Sequence, residues 1–235
     1  MPAGSPDDVA VVIPARNEAD RIRATVTAAA GLPRVGLVVV VDDGSGDATG
    51  AAARRAGAIT MRHARNRGKA AAMQTGASAV GLVDQRERRE RPRHLLFLDA
   101  DLGESAAQAG PLADPVIAGT ADMTIAVFAA TVKLGGHGLV VGLSGAGIRR
   151  AAGWRPAQPL NGQRCLTRAA FEAARPLARG WGVETALTID LLRQGFRVTE
   201  VEVELAHRAT GTGLHAQLHR AHQLADVARA LAARP

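Results

Sequence analysis

Short apolar runs, each halted by acidic or turn-forming residues, alternate with helical stretches through the first hundred residues of this chain. Val9-Ala-Val-Val-Ile13 is stopped by Pro14, and Leu37-Val-Val-Val-Val41 by Asp42-Asp43-Gly44-Ser45. Leu95-Leu-Phe-Leu98 runs into Asp99-Ala100-Asp101, and Ala58 to Met61 makes a weaker strand between them. Runs this short and this apolar read as strands buried on both faces. Asn17 is placed to cap a helix through Ala29, Asp47-Ala-Thr opens another toward Arg55, and a long one starts near Lys69. Strands spaced by helices imply βαβ units and a parallel sheet covered on both faces, an α/β fold.

The second half is less regular. Asp122 to Phe128, Gln163 to Leu166 and Arg197 to Leu205 read as strands; Gly138 to Ala152 and Glu184 to Arg193 read as helices. From Leu214 to Leu231 apolar positions 214, 218, 221, 224, 225, 228 and 231 form an amphipathic stripe. It suits a docked helix or a homodimer face better than a membrane anchor, because it lacks Trp and Phe. Residues 1–235 read as one domain: a ligand-binding half over 1–105, a second half over 106–213, and the C-terminal helix over 214–235.

Composition narrows the classes. Aromatic residues are 3% of the chain and Tyr is absent, so stacking platforms for single-stranded nucleic acid are excluded. The net charge of +7 is the sole argument for nucleic acid, and Arg-rich usage explains it as well. The densest charge run, Gln85 to Arg93, alternates in sign with Arg86/Glu90 and Glu87/Arg91 at helical spacing, which predicts the solvated tail of a helix. One cysteine, Cys165, cannot make an intrachain disulfide and reads as a packed residue. With no bilayer-length apolar run and no secretory leader in Met1 to Pro6, the expectation is a cytoplasmic protein without a transmembrane segment.

Three polar clusters fall where an open α/β sheet binds ligands, past the carboxyl ends of strands: Arg16-Asn17-Glu18, Asp42-Asp43-Gly44-Ser45 and Asp99-Ala100-Asp101. Acids alternating directly after a buried strand are costly unless they bind something, and their oxygens suit Mg²⁺ or Mn²⁺. Between them Arg65-Asn66-Arg67-Gly68-Lys69 opens a helix, so its backbone amides are expected to hold an anion. A metal site and an anion site on one sheet edge point to a diphosphate. His215, His219 and His222 share a helix face, but no acidic or cysteine partner accompanies them.

With these residues in view, the chain resembles the family 2 glycosyltransferases of GT-A fold. The matching segments are Val11-Val-Ile-Pro-Ala-Arg-Asn-Glu18, Val40-Val-Asp-Asp-Gly-Ser45, Arg65-Asn-Arg-Gly-Lys-Ala70 and Leu96-Phe-Leu-Asp-Ala-Asp101. Pro159-Leu-Asn-Gly-Gln-Arg164, Gly180-Trp-Gly-Val-Glu-Thr185 and Glu204-Leu-Ala-His-Arg208 are similar to the glucosyl-3-phosphoglycerate and mannosylglycerate synthase branch. The resemblance implies a nucleotide-sugar donor, with UDP-glucose preferred, and a small anionic acceptor such as a phosphoglycerate-like molecule. It directs Pro14, Ala15, Glu18 and Asp43 to base and ribose, Lys69 to the diphosphate, and Asp99 to the nucleotide. It gives a divalent cation to Asp101 and His207, and places Glu184 beside the transferred sugar. It turns Asn161, Gln163 and Arg164 toward the acceptor. Glu184 would be the base of an inverting reaction or a donor anchor in a retaining one. A polyprenyl-phosphate sugar transferase and a non-catalytic nucleotide-sugar-binding homologue are the alternatives.

Overall fold

A computed structural model describes residues 8–128, 138–205 and 214–234. In chain order the elements are β1 (Val9–Ala15), α1 (Ile22–Ala30), β2 (Val35–Asp42), α2 (Thr49–Arg55), β3 (Ile59–Arg62), α3 (Lys69–Arg86) and β4 (His94–Phe97). Two 3-10 turns, Gly103–Gln108 and Gly110–Leu112, lead to α4 (Asp114–Ile117) and β5 (Met123–Phe128). Then come α5 (Gly138–Ala152), β6 (Arg164–Leu166), α6 (Arg168–Ala173), a 3-10 turn at Gly180–Gly182, α7 (Val183–Arg193), β7 (Val198–Val203) and α8 (Leu214–Ala232).

Among the described residues these strands form one seven-stranded sheet in the order β3-β2-β1-β4-β6-β5-β7. Every pairing is parallel except those of β6, which runs antiparallel to both β4 and β5. The chain therefore has a mostly parallel α/β sheet, as the strand-and-helix alternation predicts.

The central strands are apolar at consecutive positions because successive side chains point to opposite faces and both faces are covered. Val9, Val11 and Ile13 join Ile22 and Val26 of α1 in one core, whereas Ala10 and Val12 join Met73, Ala77 and Val80 of α3 in the other. On β4, Leu96 faces the first core while Leu95 and Phe97 face the second. Phe97 stacks on Phe171 at 5.4 Å between ring centroids. Alanine-rich helix faces let α3 sit close on the sheet, which is how so few aromatic residues suffice.

Three local expectations are corrected. Asn17 does not cap α1, which begins only at Ile22; instead it adopts φ +54° and links two loops described below. The charge run is not a helical tail. Arg86 ends α3, and Arg93 folds back, buried, to bond Asp84 at 2.6 Å and Glu87 at 2.6 Å. Burying a guanidinium is tolerated because two carboxylates meet it. On α8, Leu224 and Ala228 lie exposed, whereas Val227 and Ala230 are buried against the body. Among the described side chains, Leu231 of the apolar stripe also packs against Gly147 of α5, so the docked face keeps part of that stripe and adds Val227 and Ala230. Among the described residues, no helix is long and apolar enough to cross a membrane.

Candidate active site

The carboxyl ends of β1, β2 and β4 open onto one sheet edge, and their loops are stitched to one another. Asn17 N–H donates to Ser45 Oγ at 3.0 Å, and Gly46 N–H donates to Asn17 Oδ1 at 2.9 Å. Asn tolerates the left-handed backbone this needs. The next amide, of Glu18, donates to Thr49 Oγ1 at 2.9 Å. These bonds hold Pro14 and Glu18, both half-buried, beside the β2 loop, with Ala15 buried beneath.

The amides at the start of α3 already bind an anion, and that anion is Asp43. Its carboxylate accepts from Arg67 N–H and Gly68 N–H, each at 2.8 Å, and from His63 Nδ1 at 2.6 Å. Two of the amides expected to hold an anion are thus taken by a buried side chain from the neighbouring loop, ahead of the first turn of α3. His63, which sequence reasoning missed, is itself buried, and with Nδ1 protonated its Nε2 accepts the Thr75 hydroxyl at 2.9 Å. A histidine one residue beyond a strand, with no motif around it, gave no signal.

Fixing that loop fixes Lys69. Its Nζ donates to Asp99 Oδ1 at 2.8 Å and lies 3.0 Å from Glu184 Oε1. Asp99 Oδ2 accepts from Gln163 Nε2 at 2.7 Å. Burial pulls the Lys69 ammonium down, but Asp99 and Glu184 outweigh it and the net shift is upward. Two of the strand-end groups, Lys69 and Asp99, thus converge with Gln163 and with Glu184 from the first turn of α7.

Asp101 follows, half-buried, in a segment held from α1. Thr25 Oγ1 donates to Ala100 O at 2.8 Å and accepts from Gly103 N–H at 2.8 Å, while Arg21 donates to Asp101 O at 3.2 Å. Among the described residues, no group of three or more His, Cys, Asp or Glu side chains is arranged to hold a metal. His207 lies outside the described residues, as do the side chains of His215 and His219.

The second half brings two corrections. Gln163, fully buried, turns toward Asp99 rather than outward. Arg164, 1% exposed, directs its donors into the chain: to Asn161 O at 2.8 Å, Glu184 O at 3.1 Å, Thr188 Oγ1 at 2.8 Å and Pro159 O at 2.9 Å. Asn161 is also nearly buried and accepts from Gln163 N–H at 3.0 Å. Arg164 is thus bonded within the chain, while Gln163 reaches the Asp99 carboxylate that also holds Lys69. Arg164 opens β6, an interior strand of the sheet, so its side chain enters covered space.

The family model of Glycosyl transferase family 2 matches residues 10–137, more than half of the chain. The chain belongs to that family. Its fold superposes on glucosyl-3-phosphoglycerate synthase of Mycobacterium tuberculosis crystallised with Mn²⁺, UDP and phosphoglyceric acid. The TM-score is 0.77 at 24% identity, covering 97% of this chain and 78% of that one. A crystal structure of the same synthase with Mn²⁺ and UDP-glucose gives a TM-score of 0.76 at 24% identity, covering 97% and 80%. The sheet and its helices are accordingly those of the GT-A fold. An uncharacterized protein of Methanocaldococcus jannaschii is 34% identical over 121 residues, 51% of this chain and 46% of its own length. The succinoglycan biosynthesis protein ExoU of Rhizobium meliloti is 43% identical over 77 residues, 31% of this chain and 22% of its own. The chain spans less than half the length of these two curated relatives.

In this family 2 chain two glycine positions shape the candidate site. A Cβ on Gly162 would collide with Lys69 Nζ and sit 3.1 Å from Asp99 Oδ1. Gly180, at φ +70°, lies against the Asp226 carboxylate of α8, which also accepts from Trp181 N–H at 3.1 Å. The docked C-terminal helix therefore holds the turn that delivers Glu184.

Proposed function

We propose that this chain transfers a hexose from a nucleotide-diphosphate sugar, UDP-glucose by preference, to a small anionic acceptor of phosphoglycerate type, with help from a divalent cation. The observation that carries the reading is Lys69, an ammonium locked between Asp99 and Glu184 where the loops of three strand ends meet. The likeness to a synthase crystallised with UDP-glucose and Mn²⁺ supports the choice of donor and cation.

In this reading the β1 and β2 loops, through Pro14, Ala15 and Glu18, border the base and ribose. Asp43 acts one step back, as the anchor of the loop that carries Lys69. The donor chemistry at Asp101 fits a hard cation, since a carboxylate at a strand end offers oxygen ligands. Asp101, with His207 by family resemblance, would hold the ion, which when bound supplies charge against the diphosphate oxygens.

Transfer forms a bond from an acceptor hydroxyl oxygen to the anomeric carbon as that carbon's bond to the diphosphate breaks. The electron pair leaves on the nucleoside diphosphate, and Lys69 is placed to meet that charge. Glu184 faces the same point. It takes the acceptor's proton if the sugar inverts, or steadies a donor hydroxyl if it does not. Asp99 and Gln163 keep Lys69 from swinging out.

A thermal-shift screen of UDP-, GDP- and TDP-sugars, with and without Mn²⁺ or Mg²⁺, tests the donor site. Ligands that bind only the folded state raise its melting temperature. The expected result is a metal-dependent rise with one nucleotide that disappears in Asp101→Ala. No rise with any combination sinks the reading.

A further inference from the structure

We propose that the opposite, amino-terminal edge of the sheet carries a second site, which binds an oxyanion. The end of α3, the segment leading into β4 and the start of α6 enclose an open cleft of about 550 Å³. Arg88, Arg89 and Arg168 line it, with Gln85, Asp84 and Glu172.

The cleft holds more hydrogen-bond donors than acceptors. Its two acids are engaged elsewhere: Asp84 accepts from Arg93 Nη1 at 2.6 Å and Arg93 N–H at 3.1 Å, and Glu172 accepts from Arg175 at 2.9 Å. Arg89 has one carboxylate, Asp8, at 3.7 Å; Arg168 donates from Nη1 to Ala77 O at 2.9 Å, but its carboxylate contact, Asp84, is at 3.5 Å. Charge-assisted N–H···O bonds close to about 2.8 Å when geometry allows, so both carboxylate contacts are stretched. Of the arginines that line the cleft, Arg89 and Arg168 each have a buried Nε with no hydrogen-bond partner. Each guanidinium brings about five N–H donors in a planar fork, and a buried donor left unmet is costly. A tetrahedral or planar oxyanion entering the cleft, with a modest turn of Arg89 and Arg168, would supply the missing acceptors. Phosphate and carboxylate groups share that chemistry.

This site is independent of the transferase reading. It lies at the far end of α3 from Lys69, and 18 helical residues at about 1.5 Å each put roughly 27 Å between them.

The test is thermal melting with inorganic phosphate, and separately with malonate, against chloride at equal ionic strength. It is run on wild type, Lys69→Ala, Arg88→Gly and Arg168→Gln. Arg88 sits at φ +53°, a backbone glycine adopts freely, so Arg88→Gly removes a cation without stressing the fold. The expected result is a rise of about 3–6 °C at tenfold excess over the dissociation constant in wild type and Lys69→Ala. That rise should be at least halved in both cleft variants, and the stronger of the two anions tells phosphate from carboxylate. A rise no larger than chloride's, or one that survives both cleft variants unchanged, overturns the proposal.

Discussion

The Nζ of Lys69 lies 3.0 Å from Oε1 of Glu184, joining the first residue of α3 to the first turn of α7. The two helices pack in one core on the same face of the sheet, and this ion pair is their polar contact at the carboxyl edge. Asp99 on the same ammonium makes a triad in which one cation answers two carboxylates. Removing any member changes charge balance as well as shape.

Lys69→Met leaves Asp99 and Glu184 facing each other without a cation. Stability should fall by about 1–3 kcal/mol, less than for a fully sealed pair because Lys69 and Asp99 retain some solvent contact. Release of nucleoside diphosphate under saturating donor should slow by roughly 10²–10³. Adding Glu184→Gln to Lys69→Met should recover part of the stability but none of the rate. Additive losses in urea titrations of the single and double variants would show that the pair is not coupled.

The pH dependence has a definite sign. The folded value of Lys69 is raised above the ordinary 10.5, so the triad's contribution is fully present below pH 10.5 and is lost as pH rises from there through the folded value. Asp99→Asn withdraws one of the two carboxylates that outweigh burial, so the folded value moves back toward 10.5 and less stability is left to lose above it. Melting temperatures from pH 8 to 11 should fall more steeply for wild type than for Asp99→Asn. Parallel curves would mean that Asp99 does not hold the proton on Lys69.

Gly162→Ala adds one methyl group where Lys69 Nζ and the Asp99 oxygens sit, in a backbone region open to alanine. The side chain that must move is Lys69, the flexible one. Activity should drop at least about tenfold while the melting temperature changes by no more than a few degrees. A fully active Gly162→Ala enzyme would show that Lys69 works from another position.

The sheet was legible because its strands are unbroken apolar runs followed by polar turns, although β1 runs on through Pro14 to Ala15 rather than stopping at the proline. Lys69, Asp99 and Glu184 could be named from motifs, yet their meeting could not, since it depends on how the Gly180–Gly182 turn ahead of α7 packs against α3. What failed was direction. The resemblance turned Gln163 and Arg164 toward an acceptor, but Gln163 bonds Asp99 and Arg164, opening the interior strand β6, is buried among chain acceptors. Arg67 and Gly68 offered amides to a phosphate, and a carboxylate from another loop, Asp43, took them first. His63 and Asp226 carried no pattern, because each acts through a partner distant in sequence.

Arg164 offers the sharpest separation of structure from binding. Burial pulls its guanidinium down to about 10, against Glu184 and Glu200, which pull it back up. Its four described oxygen acceptors tie the 159–161 loop to the backbone of Glu184 and to Thr188 on α7. Lysine has one ammonium where this site needs a fork, so Arg164→Lys should strand carbonyl acceptors in a dry interior. The expected cost is about 2–4 kcal/mol, a fall of roughly 5–15 °C in melting temperature. Because Arg164 supports the residues around Glu184 and touches no open surface, kcat should fall with stability while the acceptor KM stays near its wild-type value. A variant that melts like wild type but needs far more acceptor would return Arg164 to the acceptor-facing role that its place in the sequence suggests.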